Sequence, residues 1–492
     1  MQNGFFHIVP SGNPFKISFL DFVILNKIQR IPVLPPEIKL EKTSGNSIHI
    51  LIFVKISQIF NYDMIEEFSF GNFWSFKDMQ TLNMTAAKIK SKNSRLDSVN
   101  LIPVEDELSL LKSKAIYGAN ASGKSNVIKA LVTFIRIIKE SLKDEKMLEM
   151  IDSFQLSSES VDQPTFFQLT FRVEGIRHRY GFEADNTSIK SEWLFSTPNL
   201  REQPLFIREF DQIIEINQTH FEEGQKSIAL AGEESGEQIF RSNSLFLSSL
   251  ASFGFGKVSK RIIETISSIS IISGLGHRGM YSLAGNSLKD SAQKKFTMDF
   301  LKKADLGIED LYSLDLEGED LPESLGDDLK QDLKKGKMII SSRTKFDENQ
   351  KPIGKSDFSF GFQESEGTRK MFELSPFIFK ALKEGKALVI DEFDARFHPL
   401  LTKKIVELFN SEGNMKSQLI FTTHDTNLLS GDLLRRDQID FVEKDRYGAS
   451  HLYTLVEIKG VRNDASFEKD YIQGKYGAIP FLGDFSTLTD FE

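Results

Sequence analysis

The residues best suited to chemistry are Gly118, Ala119, Asn120, Ala121, Ser122, Gly123, Lys124, Ser125 and Asn126, which satisfy the spacing G-x-x-x-x-G-K-[ST] in full. In such a loop, successive backbone N–H groups point inward and cradle phosphate oxygens, and the helix that follows adds its dipole. Lys124 then reaches the β and γ phosphates of a nucleoside triphosphate, and the Ser125 hydroxyl ligates Mg²⁺. A loop of this kind needs a carboxylate on a neighbouring strand, and Asp391 and Glu392 follow the apolar run Ala387–Ile390. Asp391 is placed to hold the metal. Glu392, directly after it, is placed to orient and deprotonate the attacking water. His424 closes a third apolar run, Gln418–Phe421, and is placed to donate to the γ phosphate and report its presence. His398 reads as a helix-start residue.

These side chains must be carried by strands that end together. Ala115–Tyr117 suits a buried strand before the glycine loop. Val127, Ile128, Ala130, Leu131, Phe134 and Ile137 recur at helical spacing after it. The runs ending at Asp391 and at Thr423 suit two further buried strands, whose C-terminal ends are where α/β sheets hold ligands. Residues 64–84 alternate as strands around a turn at Gly71-Asn72, and Ser160–Glu183 alternates again.

Taken together, the three blocks resemble the ABC-class ATPases, the group that includes SMC, RecF and OLD proteins. The resemblance implies an α/β P-loop NTPase with an ABC-type head, a mixed sheet flanked by helices, together with a helical insertion. ATP and Mg²⁺ are the implied ligands. It further implies a signature segment before the carboxylate strand, and Phe362–Arg369 fits it. Ser365 and Gly367 would then close on the γ phosphate held by a second copy of the chain, although Ser365 also reads as an ordinary helix cap. Asp394 matches the loop that couples the two sites. Gln168 is the candidate for the glutamine that reaches the metal. Asn72–Lys77, Glu192–Phe195, Asp391–Asp394 and Gly474–Pro480 bring the resemblance closest to OLD-related ATPases of bacterial abortive-infection and phage-defence systems. Trp74 departs from the small or basic residue expected at its place.

Composition bounds the rest. Hydrophobic residues make up 40% and charged residues 27% of the chain's 492 residues, which excludes a mainly disordered or multi-span membrane chain. Lys plus Arg is 61 and Asp plus Glu is 70, and a net charge of −9 does not suit a protein coating DNA over its whole surface. There is no cysteine, so disulfides, thiolate zinc sites and cysteine nucleophiles are excluded, in keeping with a cytoplasmic protein. Residues 1–63 have no clean period. They read either as sequence upstream of a true start at Met64 or as a family-specific extension. The expected division is 64–250 with 351–460 as a composite ATPase domain, 251–350 as a helical insertion or arm, and 461–492 as a tail. Thr344–Asp347 mimics a guanine-reading motif but precedes the carboxylate strand, so it reads as a chance loop.

Three functions compete. The first is a nucleotide-driven homodimer switch that licenses a separate effector, a nuclease or toxin, because the residues after His424 are too few for a nuclease domain in cis. The second is a DNA-repair or DNA-structure ATPase, for which Lys88, Lys90, Lys92 and Arg95 form the only tight basic cluster of the core. The third, a transporter subunit needing a membrane partner, is disfavoured by the divergent signature and the long insertion.

Overall fold

The computed structural model describes residues 37–42 and 48–53 as backbone, and 63–231, 240–276, 279–304, 307–315, 337–462, 465–480 and 483. The chain divides into two units, one comprising 1–61 with 103–109 and the other the remainder. In the first, the described strands Glu37–Lys42 and Ile48–Phe53 pair antiparallel. Most of residues 1–63, for which two readings stood open, lies outside the described residues.

The second unit carries the candidate site. Its elements run β1 (Met64–Gly71), β2 (Gln80–Asn83), β3 (Ser113–Tyr117), α1 (Lys124–Glu140), β4 (Thr165–Val173), β5 (Ile176–Ala184), β6 (Ile189–Thr197), β7 (Gln203–Glu209) and β8 (Gln212–Ile216). There follow α2 (Phe246–Ser252), α3 (Val258–Ser267), β9 (Ser270–Ser273), α4 (Met280–Ser287), α5 (Ser291–Lys303), β10 (Asp310–Asp315), β11 (Lys337–Phe346) and β12 (Pro352–Ser359). The last elements are α6 (Glu366–Glu384), β13 (Ala387–Asp391), α7 (Pro399–Phe409), β14 (Gln418–Thr422), β15 (Ile439–Lys444), β16 (Ser450–Thr454) and α8 (Phe467–Ile472).

Two large sheets result. A six-stranded sheet has the order β9-β13-β14-β3-β15-β16 and is parallel except at β15–β16. A seven-stranded antiparallel sheet has the order β8-β7-β6-β5-β4-β1-β2. The parallel strands read as unbroken apolar runs because both faces are covered. Alternate side chains go to opposite faces. Val389 and Ile420 pack with Val127, Leu131 and Phe134 of α1, while Leu388, Ile390, Leu419 and Phe421 pack with Phe372 and Ile378 of α6 and Ile405 and Phe409 of α7. Helix α1 is itself wedged between the sheets. Its Phe134 stacks on Phe182 at 5.6 Å and lies against Phe68 at 5.6 Å, both on the antiparallel sheet. Truncating a ring so enclosed costs about 3–5 kcal/mol.

Buried charges interrupt this apolar logic, Lys114 and Glu192 among them. Lys114, in the middle of β3, donates to Asp440 at 2.8 Å and to the Asp437 carbonyl at 2.7 Å. Glu192 on β6 accepts from the backbone N–H groups of Phe246 and Leu247 at the start of α2, from Tyr180 and from Arg208. The Glu192–Phe195 block thus fastens α2 to the antiparallel sheet.

The segment expected to be a helical insertion, 251–350, is different. Strand β9 lies inside it and pairs with β13, so this stretch completes the core sheet. Strands β10, β11 and β12 form a separate three-stranded antiparallel sheet, and the β11–β12 hairpin crosses the expected boundary at 350. Strand β9, at four residues, is too short to show a period of its own, so the helical expectation for this stretch covers it. Thr344 sits in β11 opposite Lys355, and Asp347 holds the hairpin turn by accepting from Asn349 and Lys351. The acidic run Asp315–Asp328 lies almost wholly outside the described residues. Within the expected tail, Tyr471 stacks on Phe441 at 5.4 Å and Tyr476 lies tilted against it at 5.8 Å, so this stretch packs on the core sheet.

Asp63 bears on the Met64 boundary. Its carboxylate, 5% exposed, accepts from Lys386 at 2.7 Å, from Arg261 at 3.2 Å and from Thr265 at 3.2 Å. Asp63→Asn is expected to lower the unfolding free energy by about 1–3 kcal/mol, because hydrogen bonds to a charged group are being replaced. Denaturant titration of the two proteins measures this, and equal midpoints would show that the contact contributes nothing.

His178 on β5 yields a second expectation. Its Nδ1 is buried without a partner among the described residues, and burial pushes its pKa down to about 4. Between about pH 6.5 and 4 the unfolded chain therefore holds a proton that the native chain does not, so stability falls as pH falls through that window. The full effect is about 3 kcal/mol. His178→Gln should be flatter by that amount over the same range in pH-dependent unfolding.

Candidate nucleotide and metal site

The C-terminal ends of β3, β14, β13 and β9 lie side by side, and the glycine loop leaves β3 among them. Gly123, at φ +115, occupies a backbone region that side chains disfavour, and a Cβ there would stand 2.5 Å from Ser450 Oγ. The loop is pinned from outside. Ser75 Oγ accepts from Asn126 Nδ2 at 2.9 Å and meets Ser450 Oγ at 2.8 Å, and Ser450 Oγ donates to the Ser122 carbonyl at 2.6 Å.

The interior of the loop fits phosphate. Ser122 Oγ is buried with no hydrogen-bond partner among the described residues. Lys124 Nζ donates to the carbonyls of Gly118 at 2.8 Å and Ala119 at 3.0 Å, which fold it back into its own loop. Burial lowers its pKa to about 8, against the opposing pull of Asp391, Asp394 and Glu392. An ammonium so poorly solvated gains strongly from a phosphate.

Ser125 Oγ donates to Asp391 Oδ1 at 3.2 Å, so the loop hydroxyl and the strand carboxylate meet as a metal site requires. Thr422 Oγ1, at the end of β14, donates to the same Asp391 oxygen and accepts from Glu392 N–H at 2.7 Å. Glu392 itself sits at φ +53, a left-handed conformation that turns the chain sharply after the strand. Among the described residues no three His, Asp or Glu side chains cluster as an all-protein metal site. One hydroxyl and one carboxylate suit Mg²⁺, which takes its remaining ligands from phosphate and water.

Asp394 Oδ1 accepts from Thr423 Oγ1 at 2.8 Å and from the His424 backbone N–H at 3.2 Å. The imidazole of His424 is held below the ordinary histidine pKa, first by burial and then by the Lys124 ammonium, against the opposing pull of Asp394 and Asp391. His398 caps α7 by accepting from Leu400 N–H at 3.2 Å.

Two expected site residues stand apart from this group. Gln168, on β4 of the antiparallel sheet, uses its carbonyl oxygen to accept from Arg179 and Trp193, each at 3.0 Å. It does not line the cavity at the metal site, and the physical reason is that its strand belongs to the other sheet. Ser365 caps α6 by accepting from Thr368 N–H at 3.1 Å. It is exposed, and no hydrogen bond among the described residues joins Ser365 or Gly367 to the glycine loop of the same chain.

A cavity of about 520 Å³ opens beside Ser125 and Asp391 and is lined also by Trp74, Lys129, Asp152 and Ser273. Sequence reading did not assign these four to the site. Trp74, at φ +51 and 41% exposed, stands on a turn whose N–H is held by the Asp152 carbonyl, and Lys129 Nζ lies 4.1 Å from its ring centre. Its departure from the expected residue type was the available signal. Nothing in the sequence around Ser273 pointed to it.

The glycine loop, its paired carboxylates and the parallel sheet that joins them define a P-loop ATPase, an ATP hydrolase of α/β class. A family described as "AAA domain, putative AbiEii toxin, Type IV TA system" matches residues 115–430. That span is well over half of the chain, and the protein belongs to this family. Among solved structures, an SMC head bound to the C-terminal winged-helix domain of ScpA is 14% identical, with 79% of this chain and 97% of that one covered, at a TM-score of 0.41. The SMC head domain from Thermotoga maritima is 13% identical, with 79% and 98% covered, at a TM-score of 0.37. The fold assignment rests on the strand order and the loop geometry. No curated protein matches the chain. Among the described residues no helix is long and apolar enough to cross a membrane.

Proposed function

We propose that the protein is a nucleotide-driven dimer switch, the ATPase component of a bacterial abortive-infection system that controls a separate effector. The observation that carries this reading is the placing of the α6 start. Ser365 is exposed at the N-terminus of a long helix with Gly367 half-buried beside it, and among the described residues neither is hydrogen-bonded to the chain's own glycine loop. A hydroxyl and a helix-start N–H suit an incoming γ phosphate, and a second copy of the chain is the natural source of one.

The same helix is tied to the carboxylates. Lys370, on α6, donates to the Phe393 carbonyl at 3.0 Å and to the Ala395 carbonyl, and lies over the Phe397 ring at 4.1 Å. Glu366 pairs with Arg396 at 3.3 Å. The segment these residues hold begins directly after Glu392 and includes Asp394, which holds Thr423 and the His424 backbone. Loss of the γ phosphate can therefore be passed from His424 through Asp394 to the helix that faces the partner. The family description, with its toxin and toxin–antitoxin terms, supports an effector-linked role.

In hydrolysis, Lys124 and the loop N–H groups bind and orient the triphosphate. Mg²⁺, when bound through Ser125 and Asp391, neutralises developing charge. Glu392 takes the proton from the attacking water. Glu392→Gln should retain nucleotide binding and lower turnover by about 100-fold or more. It should also accumulate as an ATP-bound dimer in size-exclusion chromatography, whereas Lys124→Ala should lose binding itself. Wild-type turnover in Glu392→Gln would sink the assignment.

The in-trans arrangement is tested by mixing Lys124→Ala with Ser365→Arg. Each homodimer should be nearly inactive, while the mixed dimer contains one intact loop facing an intact α6 start. Recovery of ATPase activity on mixing is the expected outcome. Full activity of Ser365→Arg alone would leave Ser365 as a helix cap and nothing more.

A further inference from the structure

Strand β9 is the edge of the parallel sheet, and its register places Ser273 directly beside Asp391, with Ile272 beside Ile390. The two residues end neighbouring parallel strands at the same level, the edge at which such sheets hold ligands. Both line the cavity that also contains Ser125. The chain beyond Ser273 is fixed against the carboxylate step. Gly274 N–H donates to the Asp391 carbonyl at 2.5 Å, and a Cβ on Gly274 would stand 1.8 Å from the Glu392 carbonyl oxygen. Only glycine lets the backbone pass so close. Ser273 Oγ accepts from Leu275 N–H at 3.2 Å, which holds the hydroxyl at the cavity wall.

We infer that Ser273 is a further positioning residue of the metal-and-water site, whose hydroxyl holds a water of the nucleotide-bound metal beside Asp391, in the place expected of Gln168. The inference rests on the nucleotide reading of the loop. It follows from the shape of the site. Ser125 approaches the metal position from α1 and Asp391 from β13, and the side facing β9 is bounded by Ser273. A hydroxyl both donates and accepts, and so can orient water between a cation and a carboxylate. Gln168 lies on the other sheet with its carbonyl oxygen engaged by Arg179 and Trp193, and cannot take this part without releasing them.

The test uses the full-length protein and retention of a fluorescent ATP analogue, read across a Mg²⁺ titration and in EDTA. Ser273→Ala should raise the Mg²⁺ concentration needed for half-maximal retention by about tenfold, the scale of outer-shell substitutions at metal sites. Binding in EDTA should be unchanged. Ser273→Thr should restore the wild-type titration, and Gln168→Ala should follow it throughout. If Ser273→Ala does not fold, Ser273→Cys against Ser273→Thr gives the same comparison, since a thiol is close in size but a weak hydrogen-bonding group. A wild-type titration in Ser273→Ala would overturn the inference. So would a loss that is equal with and without Mg²⁺, which marks a structural effect. A wild-type protein that gains no affinity from Mg²⁺, or that binds as well after Lys124→Ala, would instead remove the nucleotide reading beneath it.

Discussion

The meeting of Ser125, Asp391 and Thr422 is the contact on which the rest depends. Three segments far apart in sequence bring one hydroxyl each, or one carboxylate, to the same point, and only the parallel sheet can do this. The register of β13 with β14 sets Ile390 opposite Phe421, so Asp391 and Thr422 emerge at one level. The register of β14 with β3 then sets the start of the glycine loop beside them. A slip of one residue in either pairing would turn these side chains to the other face and bury apolar residues wrongly. Covering both faces of the sheet is therefore what makes the site geometry unique.

Around that point the molecule balances desolvation against contact. Lys124 is stripped of water and folded onto its own loop carbonyls, a state relieved when phosphate arrives. Lys370 is stripped of water too, its pKa lowered to about 8 by burial, and it holds the carbonyls that follow Glu392. Lys124 lies close to Asp391 and Glu392, and Lys370 of helix α6 holds the Phe393 and Ala395 carbonyls just beyond them. A short segment, Phe393–Ala395, joins the carboxylate step to helix α6 through the Lys370 hydrogen bonds.

Much of this was legible in the sequence, for reasons that differ by residue. The glycine loop announces itself because phosphate chemistry fixes both its residue types and its spacing. Asp391 and Glu392 are visible because a fully buried strand must be apolar until the residue that leaves it. Gln168 misled because alternation identifies a strand but says nothing about which sheet the strand joins. Ser273 was invisible for the complementary reason, since β9 is only four residues long and its partner lies more than a hundred residues away. The β11–β12 hairpin was hidden because, beyond Ile340, the residues it pairs are mostly polar. Lys114 and Glu192 look like surface charges and are buried ones, each satisfied by partners that only the fold supplies.

The most direct measurement is a structure of the full chain with Mg²⁺ and a non-hydrolysable ATP analogue. The expected result is a triphosphate within residues 118–126 and an ion that parts the 3.2 Å contact between Ser125 Oγ and Asp391. A triphosphate seated elsewhere, or an undisturbed Ser125–Asp391 contact with nucleotide bound, would contradict it.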